Sequence, residues 1–259
     1  MLERLQLLLI RVFLIALVKF KEQSEDSLQS NQLATIGRLL SLAMSSVKSI
    51  TILSGELNIA IKDSVAIARS YFETTLNASL VGTDGGELAE RARLHLIYKF
   101  WSSNNREATL GDQTIRIKGP YRIDENDSDI LNARRLFDRK GKRVLDGWSG
   151  MTVNQRIDVI GKSSSMAKTY FFGAKTLIYG DSSEILHGSL YGAMISFQSI
   201  GNANEENAQK LHLESLSSLV TTTILVSSAG LACTLRQILG LNSLADRIES
   251  LLHELADVD

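Results

Sequence analysis

One proline, Pro120, stands in a chain of 259 residues. Proline has no amide hydrogen to donate and its ring clashes with the preceding turn, so it breaks helices. Long stretches on both sides of Pro120 run without that break, which favours helices over a turn-rich β fold. The chain is therefore expected to be mainly all-α, a multi-helix bundle.

Apolar spacing says where the helices lie. Leu33, Ile36, Leu40, Ala43, Val47 and Ile50 recur at alternating steps of three and four, the seam of a helix packed nearly parallel to its neighbours. From about Glu56 to Val81, the residues Ile61, Val65, Ala68, Phe72 and Leu76 share one face, and GTDGG then ends the segment with turn residues. These two helices are expected to pair antiparallel. A third, from about Glu87 to Ser102, carries Leu94, Tyr98 and Trp101.

Between about 103 and 150 the character changes. Thr114 to Lys118 alternate polar with apolar residues between Gly111 and Gly119, the period-two pattern of a short β-hairpin. A helix near Ser128 to Val144 then bears Arg134, Arg135, Arg139, Lys140, Lys142 and Arg143. From WSGMTVNQRIDVIGK onward the chain is expected to return to helices, at Ser164 to Ile178, Asp181 to Ile200, Glu205 to Ala229 and Asn242 to Ala256, with Asp181 or Ser182 capping the second of them. No fixed-period repeat or low-complexity linker marks a boundary. The expectation is one helical domain over 1–259, with an insertion at about 103–150.

Composition narrows the class. The chain is 44% hydrophobic and 22% charged with a net charge of -1, the make-up of a soluble globular protein rather than a disordered one. That balance argues against a surface tuned as a whole to nucleic acid. Cys233, the one cysteine, excludes an intramolecular disulfide and a Cys-rich zinc site, and sits among the small apolar residues of SAGLACTL as a core thiol would. A reducing, cytoplasmic location follows as an expectation.

Two segments resemble membrane spans. In LQLLLIRVFLIALVKF, Arg11 interrupts the apolar run, Lys19 closes it, and Arg4, Arg11 and Glu22 share one stripe. No small-residue cleavage site follows, so a helix buried on most sides is favoured over an interfacial anchor. Ser215 to Leu235 is free of charge but rich in hydroxyls, including TTT and two SS pairs. It is read as a central bundle helix using small residues for close approach, and no membrane span is expected.

Two helix-spaced polar pairs supply the candidate site. Arg69 and Glu73 are one turn apart at the edge of the stripe of Val65, Phe72 and Leu76. Ser183, His187 and Tyr191 are expected on successive turns of one helix beside Leu186, Leu190, Met194 and Phe197, with Tyr179 just before it. Gly188 would cost that helix about 1 kcal/mol relative to alanine, which suits a place where another backbone or a ligand comes close. If the pairs converge, His187 is the acid or base, Arg69 stabilises an anionic group and Glu73 orients a partner, with Ser183 alongside and Tyr179 and Tyr191 as binding residues. The competing account is a buried polar network that fixes helix register.

Arg134, Arg135 and Arg139 could hold phosphate groups or RNA. Asp124, Glu125, Asp127, Asp129 and Asp138 lie close by in sequence, so a solvated face of mutual ion pairs is the alternative.

The combination of R-x-x-x-E at Arg69 and Glu73 with Y-x-x-x-S-x-x-x-H-G from Tyr179 to Gly188 resembles an uncharacterised family of bacterial all-helical proteins of unknown function. The resemblance covers roughly residues 60 to 200. It implies a shared helical fold in which Arg69, Glu73, Ser183 and His187 converge, within a setting of bacterial stress or phage defence, and it brings no established activity. Arg247 and His253 in DRIESLLHE also resemble the motif of the HEPN ribonucleases, helical proteins that pair an arginine and a histidine to cut RNA without metal.

The sequence holds no phosphate-loop GxxxxGK[ST], no GxGxxG after a strand, no HExxH and no GxSxG. Neither a cofactor nor a metal is expected. The function expected is a recognition or assembly module, its partner a second copy or another protein; the alternative is a metal-independent ribonuclease using His187 with Arg69, or Arg247 with His253.

Overall fold

In a computed structural model of the chain, the residues described are 27–54, 58, 60–84, 86–120, 123–138, 147–197, 205–239 and, singly, 242, 246, 250 and 253. Among them are eight helices and one two-stranded sheet. These are α1 (Ser27–Leu53), α2 (Ile61–Thr83), α3 (Glu87–Asn104), β1 (Asn105–Leu110), β2 (Gln113–Lys118), α4 (Ser128–Phe137), α5 (Val153–Ser163), α6 (Ser165–Leu186), α7 (Leu190–Phe197) and α8 (Glu205–Leu239). The protein is mainly all-α, with a short hairpin in mid-chain.

The spacing of three and four in α1 does what it implies. Leu33, Ile36, Leu40, Ala43, Val47 and Ile50 are all buried, and α1 packs along α2, whose Ile61, Val65, Ala68, Phe72 and Leu76 are buried in turn. The pair is antiparallel. Gln32, near the start of α1, donates from Nε2 to the carbonyls of Val81 and Gly82 at 2.8 and 3.2 Å, supplying a donor to acceptors at the end of α2 that no helical amide reaches.

Helix α2 is the hub, in contact with α1, α8, α6 and α5. Its third face carries Tyr71, whose hydroxyl meets Ser228 Oγ of α8 at 2.7 Å, both residues being fully buried. Phe72 lies 6.4 Å from the rings of both Phe171 and Tyr179 of α6. Burying an aromatic or branched side chain contributes roughly 1.5–3 kcal/mol each, so this junction of α2, α6 and α8 anchors the bundle. By length and composition Asn31–Leu53 and Asn207–Gln237 could cross a membrane, and 61% of the second window is buried inside the protein.

The hairpin pairs Asn105–Leu110 with Gln113–Lys118 in antiparallel register, Leu110 facing Gln113, and β1 continues from the end of α3. Helix α4 packs back against α3. Asp127 caps α4, accepting from the amides of Asp129 and Ile130. Arg93 of α3 forks onto Asp129 through both terminal nitrogens, at 2.5 and 2.9 Å, and onto Glu90 at 2.7 Å.

One helix is added to those expected and one boundary is corrected. A separate helix, α5, fills 153–163, started by a capping box in which Thr152 Oγ1 accepts from the Gln155 amide and the Gln155 side chain accepts from the Thr152 amide. The break expected at Tyr179–Asp181 falls instead at His187–Ser189, because α6 runs unbroken to Leu186 and Asp181 and Ser182 lie inside it. Gly188, at φ +62, donates to the Ile185 carbonyl while Ser189 donates to that of Glu184, a pair of bonds that closes a helix over a left-handed residue. Ser189 Oγ then accepts from the Gly192 amide at 2.9 Å to start α7.

Gly188 is therefore a helix terminator, not a close-approach residue. A Cβ built on it meets nothing within 4 Å, whereas one on Gly192 would run into the Glu184 carbonyl. The tight contact belongs to Gly192. Arg139, Arg247 and the apolar run within 1–26 lie outside the described residues, and the helix expected over Asn242 to Ala256 does so for most of its length.

Candidate functional site

Helical spacing sets two polar rows against each other. On α2, Arg69, Glu73 and Asn77 follow at steps of four; on α6, Lys175 and Tyr179 do the same, so each set lies along one edge of its helix. Phe72 touching both Phe171 and Tyr179, with Arg69 level with Tyr179, fixes the two helices as antiparallel. Between these rows and the start of α5 opens a groove of about 490 Å³. Glu73, Asn77, Trp148, Thr152, Arg156, Lys175 and Tyr179 are among the residues that line it.

Arg69 does not line the groove but braces two residues that do, Glu73 and Tyr179. Its Nε donates to Glu73 Oε1 at 3.2 Å, and its guanidinium carbon lies 4.1 Å from the centre of the Tyr179 ring, a cation over an aromatic face. Nη1 is buried with no hydrogen-bond partner among the described residues. Glu73 keeps about a third of its side chain exposed toward the groove.

One end of the groove is built by α5. Arg156 Nη1 donates to Asn77 Oδ1 at 2.7 Å, joining groups 79 positions apart and fixing the guanidinium against the α2 row. Before the capping box, the turn of Gly147 to Gly150 carries Trp148, whose carbonyl accepts from Arg91 Nε of α3 at 2.6 Å. That bond holds the Trp148 wall in place, with its ring packed partly against the core.

Of the residues singled out from sequence, Arg69, Glu73 and Tyr179 come together here. Ser183 and His187 do not join them through any hydrogen bond, ion pair or ring contact among the described residues. His187 caps the C-terminus of α6 and is exposed, two turns or about 12 Å along the helix from Tyr179. Tyr191 is exposed on α7, a separate helix, because the chain reverses at Gly188.

The basic cluster lies elsewhere. Arg134 stacks 4.5 Å over Trp101 and sits 3.9 Å from both Glu125 and Asp138, which is the ion-paired face of the alternative account. Arg135 is exposed, with Asn132 Oδ1 at 3.5 Å.

Sequence reasoning missed Asn77, Trp148, Arg156 and Lys175. Asn77 could have been found as the next member of the four-residue row after Glu73, and Lys175 as the residue one turn before Tyr179. Arg156 gave no such signal, since only the folded bundle brings α5 to α2. Compared with protein-family models, curated proteins and solved structures, the chain matches none.

Chemically, the described residues of the groove offer cations at two positions, one carboxylate already engaged by an arginine, two aromatic walls and two neutral amides. Such convergent polar groups in a concave site orient and select a ligand.

Proposed function

We propose that this protein is a recognition module that binds a small polar ligand in the groove between α2, α5 and α6, working in the cytoplasm and, by its sequence resemblance, in bacterial stress or phage defence. The observation that carries the reading is the pair of facing rows: polar side chains from three helices far apart in sequence converge on one cavity of about 490 Å³, within the range of small-molecule sites. His187 at an exposed helix end lends no support to acid–base chemistry with Arg69.

The test is occupancy and its position. Fragments titrated into the isotope-labelled chain should shift the backbone amides of 152–156 and 175–179 together; shifts clustering elsewhere on the bundle would overturn the reading. Total cellular RNA incubated with the protein and with a His187→Ala variant should stay intact in both. Cleavage by the parent that is lost in the variant would replace recognition with a ribonuclease.

A further inference from the structure

We infer that the outer edge of β2 docks a second copy of this chain, the two hairpins joining into one antiparallel sheet of four strands about a two-fold axis at Ile115. The first reason is how little covers the hairpin. Every residue from Arg106 to Arg116 is exposed, Leu110 by 85% and Ile115 by 63%. A lone pair of strands is marginal in water, and three or more with an apolar face are needed for a sheet to hold itself.

The register shows which backbone groups are open. Gly119 donates to the Asn104 carbonyl at 2.9 Å, extending the ladder in which Lys118 faces Asn105 and Gln113 faces Leu110. Bonded pairs alternate along an antiparallel ladder, so Gln113 and Ile115 bond inward to β1, while the amides and carbonyls of Thr114, Arg116 and Lys118 point outward. None of these outward groups has a hydrogen-bond partner among the described residues. The side chains agree with this register. Arg116 donates to Glu107 at 2.8 Å, and the hydroxyls of Thr109 and Thr114 meet at 3.3 Å, as the closer side chains of non-bonded pairs do. These four make one face polar, and Ala108, Leu110 and Ile115 lie on the other.

Self-pairing of β2 allows few registers. Outward groups must meet outward groups, so the axis passes through a residue facing its own copy. The two centres that overlap most of Gln113–Lys118 are Ile115 and Arg116. A centre at Arg116 sets like charges directly opposite, which destabilises a sheet. A centre at Ile115 sets Ile115 against Ile115 as a close non-bonded pair, Thr114 opposite Arg116 of the second copy, and Asp112 opposite its Lys118. The exposed apolar side chain in the middle is matched by another, and the charges at the two ends are unlike. Arg116 is already neutralised by Glu107 of its own hairpin. Such a contact is isologous, each copy giving and receiving the same groups. The other edge belongs to β1, which runs straight on from α3 and touches it, leaving β2 the more open of the two.

Sedimentation of the full chain should show a monomer passing to a dimer as concentration rises. Asp112→Lys and Lys118→Asp should each weaken the dimer by about tenfold, since the axis repeats each change at two sites, and the double variant should restore it. Positions 112 and 118 lie about 20 Å apart along one strand, so only contact between copies explains a rescue. The register has its own test. Ile115→Cys in a Cys233→Ala chain, which removes the one native thiol, should cross-link with glutathione disulfide as oxidant, because the Cα atoms of a non-bonded pair stand about 4.5 Å apart. Ala108→Cys, in the middle of β1, should not. A parent monomeric at every concentration, a double variant no tighter than the single ones, or cross-linking at 108 in place of 115 would each overturn the assignment.

Discussion

The buried Tyr71–Ser228 contact makes a prediction whose sign depends on which partner is removed. The two oxygens are 2.7 Å apart, and Ser228 Oγ also donates to the Ile224 carbonyl at 2.7 Å, so Tyr71 is the donor of the shared bond. Tyr71→Phe removes that donor and leaves serine still bonded to Ile224, at a cost of about 1 kcal/mol for one net hydrogen bond. Ser228→Ala instead strands a phenolic O–H in a fully buried site. That desolvation costs about 1–3 kcal/mol, offset by about 0.5 kcal/mol of helix propensity gained by alanine. With both changes no polar group is left unpaired, and the double variant should be more stable than Ser228→Ala alone. Urea unfolding of all four chains at pH 7 reads the cycle, with equal m-values as the check that each variant unfolds alike. A double variant whose loss is the sum of the two single losses would refute the reasoning.

Other outcomes follow from single sites. Phe72→Ala, emptying a position between Phe171 and Tyr179, should cost about 3–5 kcal/mol in the same unfolding assay. Gly188→Ala should destabilise by about 1–2 kcal/mol because its left-handed backbone disfavours any Cβ, while Gly180→Ala, mid-helix with open space beside it, should stabilise by up to about 1 kcal/mol; thermal melts of the two variants separate these signs. Burial, then the charges of Lys99 and Arg91, lowers the His95 pKa, so the unfolded chain takes up the proton first and stability falls as pH drops below the ordinary value of 6.5. Hydrogen bonding from Arg93 lowers the Asp129 pKa; that ion pair contributes above the ordinary carboxylate value and is lost as pH falls through the lowered one. In pH-dependent melts His95→Gln should flatten the upper limb and Asp129→Asn the lower, the latter by a small amount since the pair is partly exposed.

What could be read before the fold was known tracks the range of the interaction. The seam from Leu33 to Ile50 and the stripe from Ile61 to Leu76 emerge from helical periodicity alone, and every one of those residues is buried. The hairpin likewise follows from alternation between two glycines. The end of α6 was misplaced because Tyr179-Gly180-Asp181 looks like a stop followed by a cap, yet Gly180 is tolerated inside the helix, and the true stop is a glycine in a left-handed turn two residues after Leu186. Helix α5 was visible only as a T-x-x-Q capping box at Thr152. At the site, Arg69, Glu73 and Tyr179 were legible because each sits in a local helical pattern; Arg156 meeting Asn77, and Trp148 held by Arg91, arise from the packing of separate elements and leave no trace in local spacing.

The placement of α8 bears on how the chain comes to be made. Tyr71 leaves the ribosome 157 positions before Ser228, its partner on the face of α8 that packs on α2 and α6. At synthesis rates of roughly 5–20 residues per second, the apolar side of α2 waits about 10–30 s for that helix. By then α1, α5 and α6 can already cover other faces of α2, so it is the face bearing Tyr71 that stays open until α8 is made, and a chaperone that shields one apolar helix face would find its client there.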